Sequence, residues 1–286
     1  MIPAAFDYVA PRTLPEAVAE LVKHGQEAKV LAGGHSLIPL MKLRLSTPSF
    51  LVDIGRINNL SYIREEDGQI AIGALTTHHD IQLSDLIKRK LPLLSSAASQ
   101  IGDPQVRNRG TIGGAAAHAD PFGDFPTCLV ALDAEFKVAG ERAERTIAAR
   151  DFFVDTFTSA LEPNEIVREI RIKTPPEGSK GTYLKFSRRS QDWAIVAVAA
   201  QVTLSGHEVK NVAIGLTGMG ATPIRAQAVE EALRGKAGHA DELRAAAENA
   251  SEATNPPQDL NGSPDYRRHL AKVLTRRALE EITLHH

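Results

Sequence analysis

The 286-residue sequence contains one cysteine, Cys128. Alone it forms no internal disulfide, and the chain falls short of the roughly four cysteines that an iron–sulfur cluster needs. It lies in the apolar run CLVAL, which reads as a buried, inert thiol. Net charge is scarce too. The 33 Lys and Arg nearly cancel the 35 Asp and Glu, leaving a formal −2, so no basic field argues for nucleic acid or an anionic membrane. No apolar run reaches about 18 residues, so no membrane span is expected. The start, MIPAAFDYVAP, has no basic region followed by an apolar one, so no signal peptide is expected. These absences predict a cytoplasmic protein.

Several motifs are missing as well. Without GxxxxGKS or GxxxxGKT there is no phosphate cradle of the ATPase type, and without GxGxxG the usual dinucleotide fold is unsupported. Neither HExxH nor a His–Cys spacing points to zinc, and no GxSxG points to a serine nucleophile. His78 and His79 could form a metal pair, but they read better as a helix start with exposed imidazoles. GLTGMG at 215–220 reads as a turn.

What is present is ordinary globular composition, 43% hydrophobic and 24% charged, with length for two or three small subdomains. Three regions follow from the pattern: 1–55, 56–175 and 176–286. In the first, Thr13 and Glu16 form a capping-box pattern with Pro15 in the first turn, and an apolar face runs to a stop at Gly25. The strands KVLA and FLVDI flank a glycine loop. In the second, a hairpin turns near Glu65–Gly68, helices are expected around 78–88 and 92–101, and 102–126 is expected to be mostly loop. The helix FPTCLVALDA and the strands EFKVAG and EIVREIRI follow. After the linker-like TPPEGSKG come three strands and three amphipathic helices near 225–235, 239–253 and 264–283. The middle strand, AIVAVAAQVTL, alternates weakly, which suggests cover on both faces. His285 and His286 are a native end or a tag remnant.

Two glycine pairs carry the chemistry. In VLAGGHSLIPLMKLR, Gly33 and Gly34 let the backbone turn sharply or be approached closely. The following amides, with Ser36 and His35, can face an anion. A tight structural turn accounts for this loop equally well. RNRGTIGG repeats the device at Gly113 and Gly114, with Thr111 as a hydroxyl donor and Arg107 and Arg109 nearby. Two such loops suit a diphosphate. Ten residues beyond Gly114, Asp124 either accepts hydrogen bonds from ribose or ribityl hydroxyls or caps the next helix.

AGGHSLIPLMKLR, RNRGTIGG and DPFGDFP, in that order, together with YLKFSRRSQDWA and the ending ATPIRAQAVEEALRG through DYRRHLAKVLTRRAL, resemble the FAD-binding medium subunit of molybdenum hydroxylases. The closest likeness is to the carbon monoxide dehydrogenase type, the stand-alone counterpart of the xanthine dehydrogenase flavin domain. The resemblance implies an α+β chain: a two-subdomain FAD-binding fold (PCMH or vanillyl-alcohol-oxidase-like) over 1–55 and 56–175, then a C-terminal antiparallel sheet with helices over 176–286. It implies that Ala32, Gly33, Gly34, His35, Ser36 and Leu37 wrap the FAD diphosphate from one side and Thr111, Ile112, Gly113 and Gly114 from the other. Asp124 matches a cofactor contact, Lys185 a lysine near the flavin, and Val167 an apolar contact. Trp193 lies in a loop that nears the isoalloxazine, or packs between domains. Ala115 departs from the Asn or Asp that relatives often carry. The implied partners are a large subunit with the molybdenum cofactor and a small subunit with 2Fe-2S clusters, as a dimer of heterotrimers. This chain would relay electrons from the clusters to an external acceptor, with no catalytic residue and no metal of its own. Two other readings stay open: a self-sufficient FAD oxidoreductase acting on its own small substrate, and a non-redox nucleotide-binding or scaffold protein.

Overall fold

The computed structural model describes residues 2–206 and 208–284; His285 and His286 lie outside the described residues. The chain opens with β1 (Asp7–Val9), α1 (Leu14–His24), β2 (Ala28–Leu31), α2 (Leu37–Lys42) and β3 (Phe50–Asp53). The three strands form a parallel sheet in the order β1-β3-β2. Thr13 and Glu16 make the expected capping box, and Gly25 ends α1 at φ 55°. The sequence reading missed β1, whose three residues are too few to show an alternation.

Next come β4 (Ile63–Glu66), β5 (Gln69–Gly73), α3 (His78–Leu83), α4 (Asp85–Lys90), α5 (Pro92–Ser99), α6 (Pro104–Arg109), α7 (Ile112–His118) and α8 (Asp124–Ala131). They are followed by β6 (Glu135–Ala139), β7 (Glu144–Ala148), α9 (Ala149–Phe152), β8 (Phe153–Asp155), β9 (Thr158–Ser159) and β10 (Ile166–Lys173). An antiparallel sheet runs β4-β5-β10-β6-β7. The β4–β5 turn is made by Asp67 and Gly68, both at positive φ, as a two-residue hairpin demands. Two expectations need correction. The helix expected over 78–88 breaks at Ser84, whose hydroxyl caps α4 by accepting from Ile87 N. The segment 102–126, expected to be mostly loop, holds two short helices. Asp103 caps α6, with Pro104 in its first turn, and Thr111 caps α7.

The last third comprises β11 (Ser179–Phe186), β12 (Val196–Ser205), β13 (Glu208–Thr217), β14 (Ile224–Arg225), α10 (Gln227–Leu233), α11 (Ala240–Ala247) and α12 (Pro264–Leu284). The four strands pair in sequence order. The weak alternation in β12 has the predicted cause. Ala197 and Ala199 face a core shared with α5 and α8, while Val196, Val198 and Val202 face one shared with α10–α12. This sheet is buried on both faces, and through the first of them it is fused to the middle of the molecule.

Candidate functional site

β2 ends at Leu31, and the chain turns through Ala32–Ser36 into α2. Gly33 lies against the turn between α6 and α7: a β-carbon there would stand 2.1 Å from the Arg109 carbonyl oxygen and 2.9 Å from the Gly110 α-carbon. A β-carbon on Gly114 would lie 3.9 Å from that of Ala32. The two glycine loops, far apart in sequence, are therefore in contact.

Their amides are used differently. Gly34 is at φ 79°, and the carbonyls of Gly34 and Ser36 accept from Ile38 N and Leu40 N. The N–H groups of Gly33, Gly34, His35, Ser36 and Leu37 find no acceptor among the described residues, and the Ser36 hydroxyl makes no cap bond. His35 and Ser36 are exposed. A row of unpaired donors at a bend leading into a helix is a fitting receptor for a phosphate group.

In the second loop, Ile112 N donates to Thr76 O, Gly113 N to Ala74 O, and Gly114 N to the Thr111 hydroxyl. Gly113 is a glycine because a β-carbon would meet Ala74 at 2.5 Å. The amides of Ile112 and Gly113 thus dock the loop just past the end of β5, while that of Gly114 closes the Thr111 cap. Thr111 keeps its own N–H and its hydroxyl hydrogen without an acceptor among the described residues. Of the two nearby arginines, Arg107 donates to the carbonyls of Ile101 and Gly102, while Arg109 is exposed.

His78 corrects the sequence reading. It is buried rather than exposed, edge-on to Phe125 with ring centroids 5.0 Å apart, and its Nδ1 has no partner among the described residues. A β-carbon on Gly110 would stand 2.6 Å from its Nε2. Burial, with the charges of His35 and Arg107 adding to it, drives its pKa down to about 3, so the ring beneath the loops is neutral.

At the far end of α7 lies a second polar cluster. Asp124 is not the N-cap of α8 but its first helical residue. Its carboxylate accepts from Tyr183 Oη at 2.6 Å and from Lys185 Nζ at 3.1 Å. Lys185 also donates to the Gln100 carbonyl, and the Gln100 amide donates to Tyr183 O. The side chains of Lys185 and Asp124 are only 4% and 8% exposed. Burial pushes the Asp124 carboxyl up, against the pull of Lys185 and Tyr183, and pushes the Tyr183 phenol well above its ordinary value. Asp120 sits next to this group. Burial raises its carboxyl too, and the Phe122 amide, which donates to it at 2.9 Å, and the neighbouring His118 and Trp193 act the other way. Trp193 is 70% exposed. Val167 is buried in β10 opposite Val138.

The sequence reading named Asp124, Lys185 and Trp193 but not Tyr183, Gln100 or Asp120. One signal was available for Tyr183. In YLKF it lies two residues from Lys185, hence on the same face of a strand.

Residues 4–175 match the FAD binding domain in molybdopterin dehydrogenase, and residues 181–282 match the CO dehydrogenase flavoprotein C-terminal domain. The carbon monoxide dehydrogenase medium chain of Hydrogenophaga pseudoflava is 43% identical over 279 residues, 98% of this chain and 97% of that one. The glyceraldehyde dehydrogenase medium chain of Sulfolobus acidocaldarius is 39% identical over 282 residues, 99% and 100% of the two chains. Among solved structures, the carbon monoxide dehydrogenase from Hydrogenophaga pseudoflava superposes with a TM-score of 0.96 at 44% identity, over 98% of each chain. Quinoline 2-oxidoreductase from Pseudomonas putida 86 gives 0.94 at 31%, over 99% of each.

Proposed function

The chain belongs to the FAD-binding flavoprotein family of the molybdopterin dehydrogenases, and from that premise we propose how its residues serve as the FAD-carrying, electron-transferring medium subunit of a molybdenum hydroxylase. The reading has one supporting observation above the rest: the unpaired amides of Gly33–Leu37, set against the Arg109–Gly110 turn. These amides and the Ser36 hydroxyl bind one face of the diphosphate, and Thr111 donates from the other. Ala32 lines the crossing of the loops. Ile112 and Gly113 hold Thr111 in place through their bonds to Thr76 and Ala74 just past β5, and Gly114 through its bond to the Thr111 hydroxyl.

The seven-residue helix α7 spans about 10 Å and leads from the phosphate end to the cluster of Asp120, Asp124, Lys185 and Trp193. That cluster is the flavin end of the site. FAD supplies the redox chemistry, accepting electrons singly and holding two. The chain's own residues bind and orient it and shape its electrostatic surroundings. Lys185 does so with its charge already matched by Asp124, so the pair presents a dipole rather than a lone cation.

The complex draws its electrons from a large chain with the molybdenum cofactor, through 2Fe-2S clusters on a small chain, and delivers them to an external acceptor. Relatives named as medium chains of multi-subunit dehydrogenases support this over a self-sufficient oxidoreductase. Cytoplasmic location and assembly as a dimer of heterotrimers are parts of the same proposal. No helix among the described residues is long and apolar enough to cross a membrane. Purification of the assembly from its native host, with metal analysis and a flavin spectrum, tests it. A yellow chain co-purifying with an iron–sulfur and a molybdenum chain is expected. A colourless chain, or a solitary one whose FAD is reduced by substrate directly, overturns it.

A further inference from the structure

Arg267, on the first turns of α12, is the largest side chain that the fold buries completely. A buried guanidinium is costly unless its donors are paired, so its partners matter. One terminal nitrogen donates to the Ile195 carbonyl. The other donates to both carboxylate oxygens of Asp259, each at 2.7 Å. The Asp259 carboxylate is held in turn by the amides of Asn261 and Gly262. The guanidinium carbon stands 5.2 Å from the centre of the Phe122 ring, within range of a cation–π contact.

Two of these partners lie beside the flavin end of the site. Ile195 is two residues from Trp193, and Phe122 is two residues from Asp120, whose carboxylate accepts from the Phe122 amide at 2.9 Å. The loop carrying Trp193 has little else to fix it. Within it, Ser187 and Asp192 donate to the Arg189 carbonyl, and Trp193 itself is exposed. Its base is anchored by Ile195 N on Phe186 O at 2.7 Å and by Arg267 on Ile195 O. The opposite segment is tied where Gly218 N donates to Pro121 O. Gly218 has no room for a side chain there, since a β-carbon would stand 2.7 Å from Ile195 O.

We propose that Arg267 is a positioning residue for the flavin site: it clamps the base of the Trp193 loop, at Ile195, against the Asp120–Phe122 segment and so sets where the indole meets the flavin. Arg267 touches neither group; it acts through Ile195 and Phe122. The inference rests on the FAD reading above.

An indole in contact with a flavin quenches its emission on the picosecond scale, so flavin fluorescence decay reports the placement of Trp193. The test uses the assembled complex, with Arg267→Met made in the wild-type and in the Trp193→Phe backgrounds. In the wild-type background the picosecond-quenched share of emission should fall several-fold, towards that of Trp193→Phe, with FAD still stoichiometric. In the Trp193→Phe background Arg267→Met should change nothing, which a general loosening of the fold would not produce. Arg267→Lys keeps the charge but loses the fork, and should fall between. It carries the same test if the Met variant fails to assemble. Unchanged emission with bound FAD, or the same change in both backgrounds, overturns the role of Arg267. A wild-type complex without FAD overturns the functional reading itself.

Discussion

Replacing Lys185 by Met removes the cation and leaves the Asp124 carboxylate with only Tyr183 as a partner, in a place where the carboxylate is 8% exposed. Breaking a buried pair by removing one member costs about 3–5 kcal/mol, because the other charge stays behind without its counterion. At the low end, about 3 kcal/mol, a chain of this size should lose roughly 6–12 °C of Tm. Removing both charges, in Lys185→Met with Asp124→Asn, should recover part of that loss, since no lone charge remains. The pH dependence has a defined sign. Burial already raises the folded-state pKa of Asp124, and loss of Lys185 raises it further. The folded protein then binds the proton more tightly than the unfolded chain, so the variant loses stability as pH rises and regains it on acidification. Urea unfolding of both single variants and the double variant, at neutral and mildly acid pH, measures all of this. A loss below about 1 kcal/mol, or strict additivity in the cycle, would refute the picture of a desolvated pair.

Tyr183→Phe should cost about 1.5–3 kcal/mol, the range for a hydrogen bond to a charged group, and should raise the Asp124 pKa further; denaturation and carboxyl NMR check these. Thr111→Val removes the cap that Gly114 N uses. It should cost about 1 kcal/mol in denaturation and weaken FAD binding in a titration. Glu169 is buried on the central sheet, and hydrogen bonds from Tyr62 and Arg171 hold its carboxyl below the usual range despite its burial. Its contribution is present above the ordinary carboxylate pKa and is lost as pH falls through the depressed one. Glu169→Gln should therefore flatten the acid side of the stability profile.

The local devices of the fold were legible wherever a short pattern determines them. Thr13 and Glu16 announce α1, and the weak alternation of β12 announces a sheet covered twice. The glycine loops were legible as loops, but their division of labour was not. That Gly113 N is committed to Ala74 O while Gly34 N is unpaired depends on which strand end each loop meets, and spacing carries no trace of that. Gly33 is the clearest case. Its β-carbon would collide with the Arg109 carbonyl, so bulk there separates the loops whether or not a ligand is bound. His78 was misread because its burial comes from Phe125 and Gly110, both remote in sequence. Asp124 read either as a cap or as a cofactor contact because it opens a helix; its bonds to Tyr183 and Lys185 come from β11, which arrives about sixty residues later. Arg267 carried no signal among the many arginines of DYRRHLAKVLTRR.

The claim at the centre is that the amides of Gly33–Leu37 hold the FAD diphosphate, and Ser36→Asp tests it most directly. Ser36 is exposed and its side chain caps nothing, so the fold should keep its unfolding midpoint. The new carboxylate would take up the amides meant for phosphate and repel its charge. A titration of the flavin-depleted protein should show affinity for FAD reduced by about 10-fold or more, some 1.4 kcal/mol or above. Affinity equal to wild type, at an unchanged midpoint, would contradict the assignment of this loop to the diphosphate.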